Sequence, residues 1–168
     1  ASIVSQPGEG TTVYVSLPFK IPESLQQRAE NQEKQHAHIS KGRHVLLVDD
    51  EQSTQFYILR LMEKSGYEVT VARDGEDALD KLAQSEFDCV LMDVQMPVLD
   101  GVEATKKIRA SSANYNNIPV IALTAYAMLG DREKFLEAGM NDYISKPVDK
   151  DKLLEVLENN TLNETFEK

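Results

Sequence analysis

Apolar and polar positions follow a regular rhythm along most of this chain. The run HVLLV at 44–48 is apolar after its first residue and stops at Asp49-Asp50-Glu51. Ile58, Leu61, Met62 and Ser65 then recur at i, i+3, i+4 and i+7, which predicts a helix over 52–65 with Gly66 as its stop. Residues 68–72 alternate as a strand does, Asp74-Gly75 is a turn, and 76–84 is a predicted helix with Ala78, Leu79 and Leu82 inward. A buried strand over 88–92, a helix over 102–110 and a polar loop over 111–117 follow. A strand over 119–123, a helix over 128–138, a strand over 141–145 and a helix over 150–158 carrying Leu153, Val156 and Leu157 complete the series. Five strands alternating with five helices predict an α/β fold, a doubly wound parallel sheet covered on both faces.

The rhythm differs upstream. Gln6-Pro7-Gly8-Glu9-Gly10 is a turn signal, and Val13, Val15 and Leu17 in the stretch 11–17 share one face of a predicted strand that Pro18 and Pro22 close off. Residues 23–42 are polar and rich in Gln and Glu, as suits a solvated helix or a flexible linker. His36 and His38 have no further ligand beside them, so a metal site there is not expected. The expected division is a short segment over 1–22, a polar linker over 23–42, the main domain over 43–160 and a tail over 161–168.

Composition narrows the function classes. At 168 residues, 41% hydrophobic and 27% charged, the chain can bury a real core as a globular domain. Lys plus Arg number 18 against 28 Asp plus Glu, a formal net charge of -10, which disfavours nucleic acid and direct contact with an anionic membrane. No apolar run approaches the ~20 residues of a membrane span. The start, ASIVSQPGEG, has neither a signal-peptide pattern nor an initiator methionine, so the chain is expected to be a piece of something longer, cytoplasmic itself, whose parent could be membrane-anchored. The lone Cys89 rules out an internal disulfide and sits in an apolar strand pattern as a core residue.

The chemistry gathers at strand ends. In an open parallel sheet, ligands sit beyond the carboxyl ends of the strands. There the first strand offers Asp49-Asp50, the third Asp93, the fourth Thr124-Ala125, and the fifth is followed by Lys146-Pro147. Three clustered carboxylates repel one another by on the order of a few kcal/mol per close pair, and either protonation or a cation relieves this. Hard oxygen ligands suit Mg²⁺. A carboxylate left with a free oxygen can attack phosphorus to give an acyl phosphate. Singly, Asp49-Asp50 could cap a helix, Asp93 could belong to a turn, and Thr124 and Lys146 could be loop residues. Their convergence on one edge favours a site.

The same residues carry a resemblance. VLLVDDE at 45–51, VLMDVQMPVLDG at 90–101, PVIALTA at 119–125 and DYISKP at 142–147 resemble, in order and spacing, the response-regulator receiver domain. That resemblance implies a flavodoxin-like sheet of order 2-1-3-4-5. It implies Asp93 as phosphoacceptor, with Asp49, Asp50, Asp93 and the backbone carbonyl of Gln95 around Mg²⁺. It further implies Thr124 as switch hydroxyl, Lys146 as phosphate contact, Tyr143 as an aromatic that changes rotamer, and a cis Lys146–Pro147 bond. Met96-Pro97 and Asp100-Gly101 would shape the loop after Asp93. Many members attached to kinases carry Asn where this chain has Thr54. PGEGTTVYVSLPF at 7–19 is similar to the closing segment of a histidine-kinase ATP-binding domain, which implies a hybrid sensor kinase as parent.

The expected function is therefore a phosphorelay switch. It would be loaded by a histidine kinase in cis or in trans and pass its signal to a histidine phosphotransfer protein. An aspartyl-nucleophile phosphohydrolase would need a second carboxylate two residues after Asp93, where Gln95 stands. A flavodoxin-like cofactor binder would need a phosphate loop where Asp49-Asp50-Glu51 lies. A docking module without phosphorylation is the remaining alternative.

Overall fold

The computed structural model describes residues 2–6, 10–14, 42–125 and 131–162. The chain divides into two units, Ala1–Gln32 and Glu33–Lys168. In the first, β1 (Ser2–Gln6) pairs antiparallel with β2 (Gly10–Tyr14), Ser2 opposite Tyr14 and Gln6 opposite Gly10. β2 is the first part of the alternating stretch expected at 11–17, and residues 15–17 lie outside the described ones, as do the turn at 7–9 and the linker as far as 41. β1 was not anticipated, because Ile3 and Val4 are adjacent rather than alternate.

The second unit alternates throughout. Its elements are β3 (His44–Val48), α1 (Gln52–Lys64), β4 (Glu68–Ala72), α2 (Gly75–Gln84), β5 (Cys89–Asp93), α3 (Gly101–Ala110), β6 (Val120–Thr124), α4 (Asp131–Glu137), β7 (Asp142–Ser145) and α5 (Lys150–Leu162). All neighbours are parallel, in the order β4-β3-β5-β6-β7, the expected 2-1-3-4-5.

Strand periodicity sorts the core into two layers. Val45, Leu47, Cys89, Leu91, Ile121 and Leu123 face one way and pack with Ile58 and Met62 of α1 and Leu153, Leu154, Val156 and Leu157 of α5. Leu46, Val48, Val90, Met92, Val120 and Ala122 face the other way, onto Ala78 and Leu82 of α2, Ala104 and Ile108 of α3 and Phe135 of α4. The central strands β5 and β6 are buried at every position, whereas the edge strand β4 is buried only at Ala72.

Helix ends follow local chemistry. Asp74 and Asp100 cap α2 and α3, accepting from Asp77 N and Glu103 N at 2.8 Å each. Gly66, at φ 92°, ends α1 in a Schellman motif: Gly66 N donates to Glu63 O and Tyr67 N to Met62 O, both at 3.1 Å. α5 runs past the predicted end at 158 to Leu162, so 161–162 belong to the helix rather than to a tail. Asn160 Nδ2 and Thr161 Oγ1 bond back to Val156 O and Leu157 O, at 2.8 and 2.7 Å. No helix among the described residues is long and apolar enough to cross a membrane.

Among the described residues, Tyr67 Oη is the buried side-chain polar atom without a hydrogen-bond partner, and burial, with the Glu158 charge nearby, drives its pKa upward. Tyr67→Phe removes a desolvated hydroxyl and keeps the ring. The expected result is a gain of about 1 kcal/mol in unfolding free energy, read from the urea midpoint.

Candidate functional site

Each central strand delivers a polar group to the same edge of the sheet. β3 leads into Asp49, fully buried, and Asp50, exposed. β5 ends in Asp93 and β6 in Thr124, both buried. β7 is followed by Lys146, whose bond to Pro147 is cis. One carboxylate oxygen from each of Asp49, Asp50 and Asp93 lies within 4.8 Å of the other two. Lys146 Nζ donates to Asp49 Oδ2 at 2.8 Å and to Asp93 Oδ2 at 2.7 Å. Main-chain donors hold the remaining oxygens: Glu51 N reaches Asp49 Oδ1 at 2.9 Å, and Gln95 N reaches Asp93 Oδ1 at 3.2 Å.

The loop after Asp93 is tightly folded. Val94 N donates to Leu123 O at 3.0 Å, and Gly101 N donates back to Val94 O at 3.1 Å. Leu99 N closes onto Pro97 O at 2.8 Å over Val98, which sits at φ 68°, a strained region for a β-branched residue. Gln95, Met96 and Pro97 thereby line a cleft together with Asp50 and Asp100.

Burial pushes the Asp49 carboxyl above the usual carboxylate range, against the bonds from Lys146 and Glu51 N. Burial also works against the Lys146 charge, but its bonds to Asp49 and Asp93 outweigh this and hold its pKa above the ordinary lysine value. Ser53 Oγ and Thr54 Oγ1 donate to the Glu51 carboxylate at 2.5 and 2.8 Å and lower its pKa. Thr54, the position that departs from many kinase-attached members, thus holds Glu51 rather than a member of the carboxylate triad. One ammonium faces three carboxylates, and the most buried of these resists ionisation. A divalent cation fits that deficit, and hard oxygens with one exposed carboxylate suit Mg²⁺.

A model of the response regulator receiver domain matches residues 45–158. The chain belongs to that family. The receiver domain is 47% identical over 119 residues to Hybrid signal transduction histidine kinase I of Dictyostelium discoideum, which covers 67% of this chain and 7% of that protein. The whole chain is 34% identical over 152 residues to the sensor protein EvgS of Escherichia coli K12, covering 90% of this chain and 12% of EvgS. The chain thus spans a small part of these relatives. A solved receiver domain, from the sensor histidine kinase PA1611 of Pseudomonas aeruginosa, holds a magnesium ion in its active-site cleft. It is 43% identical, with a TM-score of 0.65 over 70% of this chain and 96% of that one.

Of the residues expected at the site, Lys146 bonds Asp49 and Asp93 directly, and an Asp50 carboxylate oxygen lies within 4.8 Å of one from each of them. Thr124 stands one position beyond Leu123, the register partner of Asp93, and its carbonyl accepts from Lys146 N at 2.7 Å. Tyr143 is half-buried in the receiver domain and packs its ring against Phe135, 6.5 Å between centroids. Sequence reasoning passed over Gln55, whose Nε2 donates to the Asp49 carbonyl. The available signal was a polar residue sharing the buried helix face of Ile58 and Met62.

Proposed function

We propose that this chain is the receiver of a hybrid sensor kinase, and that it accepts a phosphoryl group on Asp93 from phosphohistidine. An Asp93 carboxylate oxygen attacks phosphorus and the phosphorus–nitrogen bond breaks. Its electron pair stays on an imidazole that was protonated at its other nitrogen and leaves neutral. The products are an aspartyl phosphate and histidine. The observation that carries this reading is the Lys146 ammonium bonded to both Asp49 and Asp93 inside a triad of carboxylates. Magnesium held by Asp49, Asp50, Asp93 and the Gln95 carbonyl would supply charge neutralisation for the phosphoryl oxygens.

The chain's own groups divide the remaining work. Lys146 offsets the negative charge gathered at Asp93 and would contact the phosphoryl group once formed. Thr124, at the end of β6, would donate its hydroxyl to a phosphoryl oxygen. Tyr143, on β7 against Phe135, would follow that movement and alter the face of α4, β7 and α5, biasing an existing two-state equilibrium. The neutral amide of Gln95 cannot protonate a leaving group, so slow turnover is expected rather than hydrolase activity.

Residues 1–22 fit the end of a kinase ATP-binding domain. Residues 43–160 make up about 70% of the chain, so a 90% alignment with EvgS must reach into the segment before them. β2 starts at Gly10, where the Gly-x-Gly turn of that motif would deliver a strand. The donor is then a histidine kinase in cis or in trans, the receiver of the signal a histidine phosphotransfer protein, and the compartment the cytoplasm.

Incubation with a phosphorylated histidine-kinase core and Mg²⁺ tests the proposal. Label is expected to move from histidine to this chain, to stay behind in Asp93→Asn, and to stay behind without Mg²⁺. Transfer to Asp93→Asn as fast as to the native chain would sink it.

A further inference from the structure

We propose that Gln55 is a positioning residue for the magnesium site, acting through the main chain of Asp49. The proposal rests on the reading of Asp49, Asp50 and Asp93 as the metal-holding group. Gln55 stands in the first turn of α1, half-buried, on the face it shares with Ile58 and Met62. Its Nε2 donates to the Asp49 carbonyl and reaches the Ala72 carbonyl at 3.5 Å. That Ala72 carbonyl also accepts from Asp49 N at 3.2 Å. One amide group therefore ties the carboxyl ends of β3 and β4 together at the residue where β3 leaves the sheet.

The position matters because the Asp49 side chain has no freedom of its own. It is fully buried, Lys146 takes one oxygen, and Glu51 N takes the other. Where its carboxylate sits is set by where the main chain at 49 sits, and Asp50 follows on the same main chain. An apolar side chain at 55 leaves the Asp49 carbonyl without this donor and lets the segment relax, shifting two carboxylates relative to Asp93. The helix itself has other anchors, since Ile58 and Met62 are fully buried in the core. The cost is thus expected at the site more than in the fold, as for other groups that orient a metal ligand.

Two variants separate positioning from simple electrostatics. Gln55→Met keeps the length and removes the donor. Gln55→Glu keeps the shape, replaces the donating amide with a carboxylate, and adds a negative charge that by itself would tighten cation binding. The readouts are the Kd for Mg²⁺ from amide chemical shifts and the Tm in metal-free buffer. Kd is expected to weaken by at least about tenfold in both variants, the size seen when an outer-shell partner of a metal ligand is lost. An unchanged Kd in Gln55→Met, whatever its Tm, overturns the proposal by making Gln55 merely structural. Tighter binding in Gln55→Glu overturns it too. A native chain that takes up no Mg²⁺ overturns the metal reading and this proposal with it, whereas normal Mg²⁺ uptake by the native chain with unchanged variants overturns this proposal alone.

Discussion

Lys146→Ala is expected to lower unfolding free energy by about 3 kcal/mol in metal-free buffer and to make the remaining stability depend on divalent metal. Asp49 and Asp93 have side chains 0% and 8% exposed, and Lys146 bonds both. Breaking a buried pair by removing one partner costs about 3–5 kcal/mol, because it leaves an unpaired buried charge. The Lys146 side chain is 21% exposed, which puts this case at the low end. The loss has a pH signature. Asp49 already has its pKa raised by burial above the ordinary 3.8, and losing the ammonium raises it further. A carboxyl whose folded pKa is raised favours the folded state only while protonated, and that contribution is lost as pH rises through the folded value. The deficit should therefore be smallest at or below pH 3.8 and grow above it. Addition of Mg²⁺ at neutral pH should raise Tm more in the variant than in the native chain, since it supplies the missing positive charge. Denaturant titrations with and without Mg²⁺ check both halves. Equal midpoints in metal-free buffer would contradict the pairing.

Gly101→Ala is expected to cost about 3 kcal/mol and to impair phosphoryl acceptance, although it removes no functional group. A Cβ at Gly101 would lie 2.1 Å from the Asp93 carbonyl oxygen and 2.8 Å from Met92 Cγ. The first of these is main chain, so the start of α3 would have to retreat from the end of β5. That movement breaks the bond from Gly101 N to Val94 O and releases the loop that aims Gln95 N at Asp93. Alanine at Gly42 is the useful contrast, because at φ 85° it meets strain but no atom within 4 Å. Urea midpoints of the two variants, with the phosphoryl loading of each, separate crowding at the site from glycine's conformational freedom. Equal effects on loading would deny that Gly101 is small for the sake of Asp93.

Much of this was legible in the sequence for one physical reason. Strands buried on both faces read as unbroken apolar runs, so a carboxylate at the end of VLMD stands out against its neighbours. The alternation of such runs with helical periodicity sets the layers, and strand ends mark out Asp49, Asp93, Thr124 and Lys146 from the sequence alone. Periodicity could not show the long-range contacts. Lys146 is 97 residues from Asp49 and 53 from Asp93, so its bond to both emerges only when the sheet assembles. Gln55 was missed because a polar residue near a helix start reads as solvated surface. The extension of α5 to Leu162 was missed because Asn159, Asn160 and Thr161 look like a stop, while Asn160 and Thr161 bond back to the preceding turn. β1 escaped because a two-residue apolar pair has no period at all.

The most direct measurement of the central claim is the location of the phosphoryl group. The chain would be incubated with Mg²⁺ and a small acyl-phosphate donor, reduced with borohydride, digested and mapped by mass spectrometry. Borohydride converts an aspartyl phosphate to homoserine, which marks the residue that carried it. The account predicts one such mark, at position 93, absent when Mg²⁺ is withheld and absent in Asp93→Asn. A mark at Asp49 or Asp50, or one at position 93 that forms equally well without metal, would contradict it.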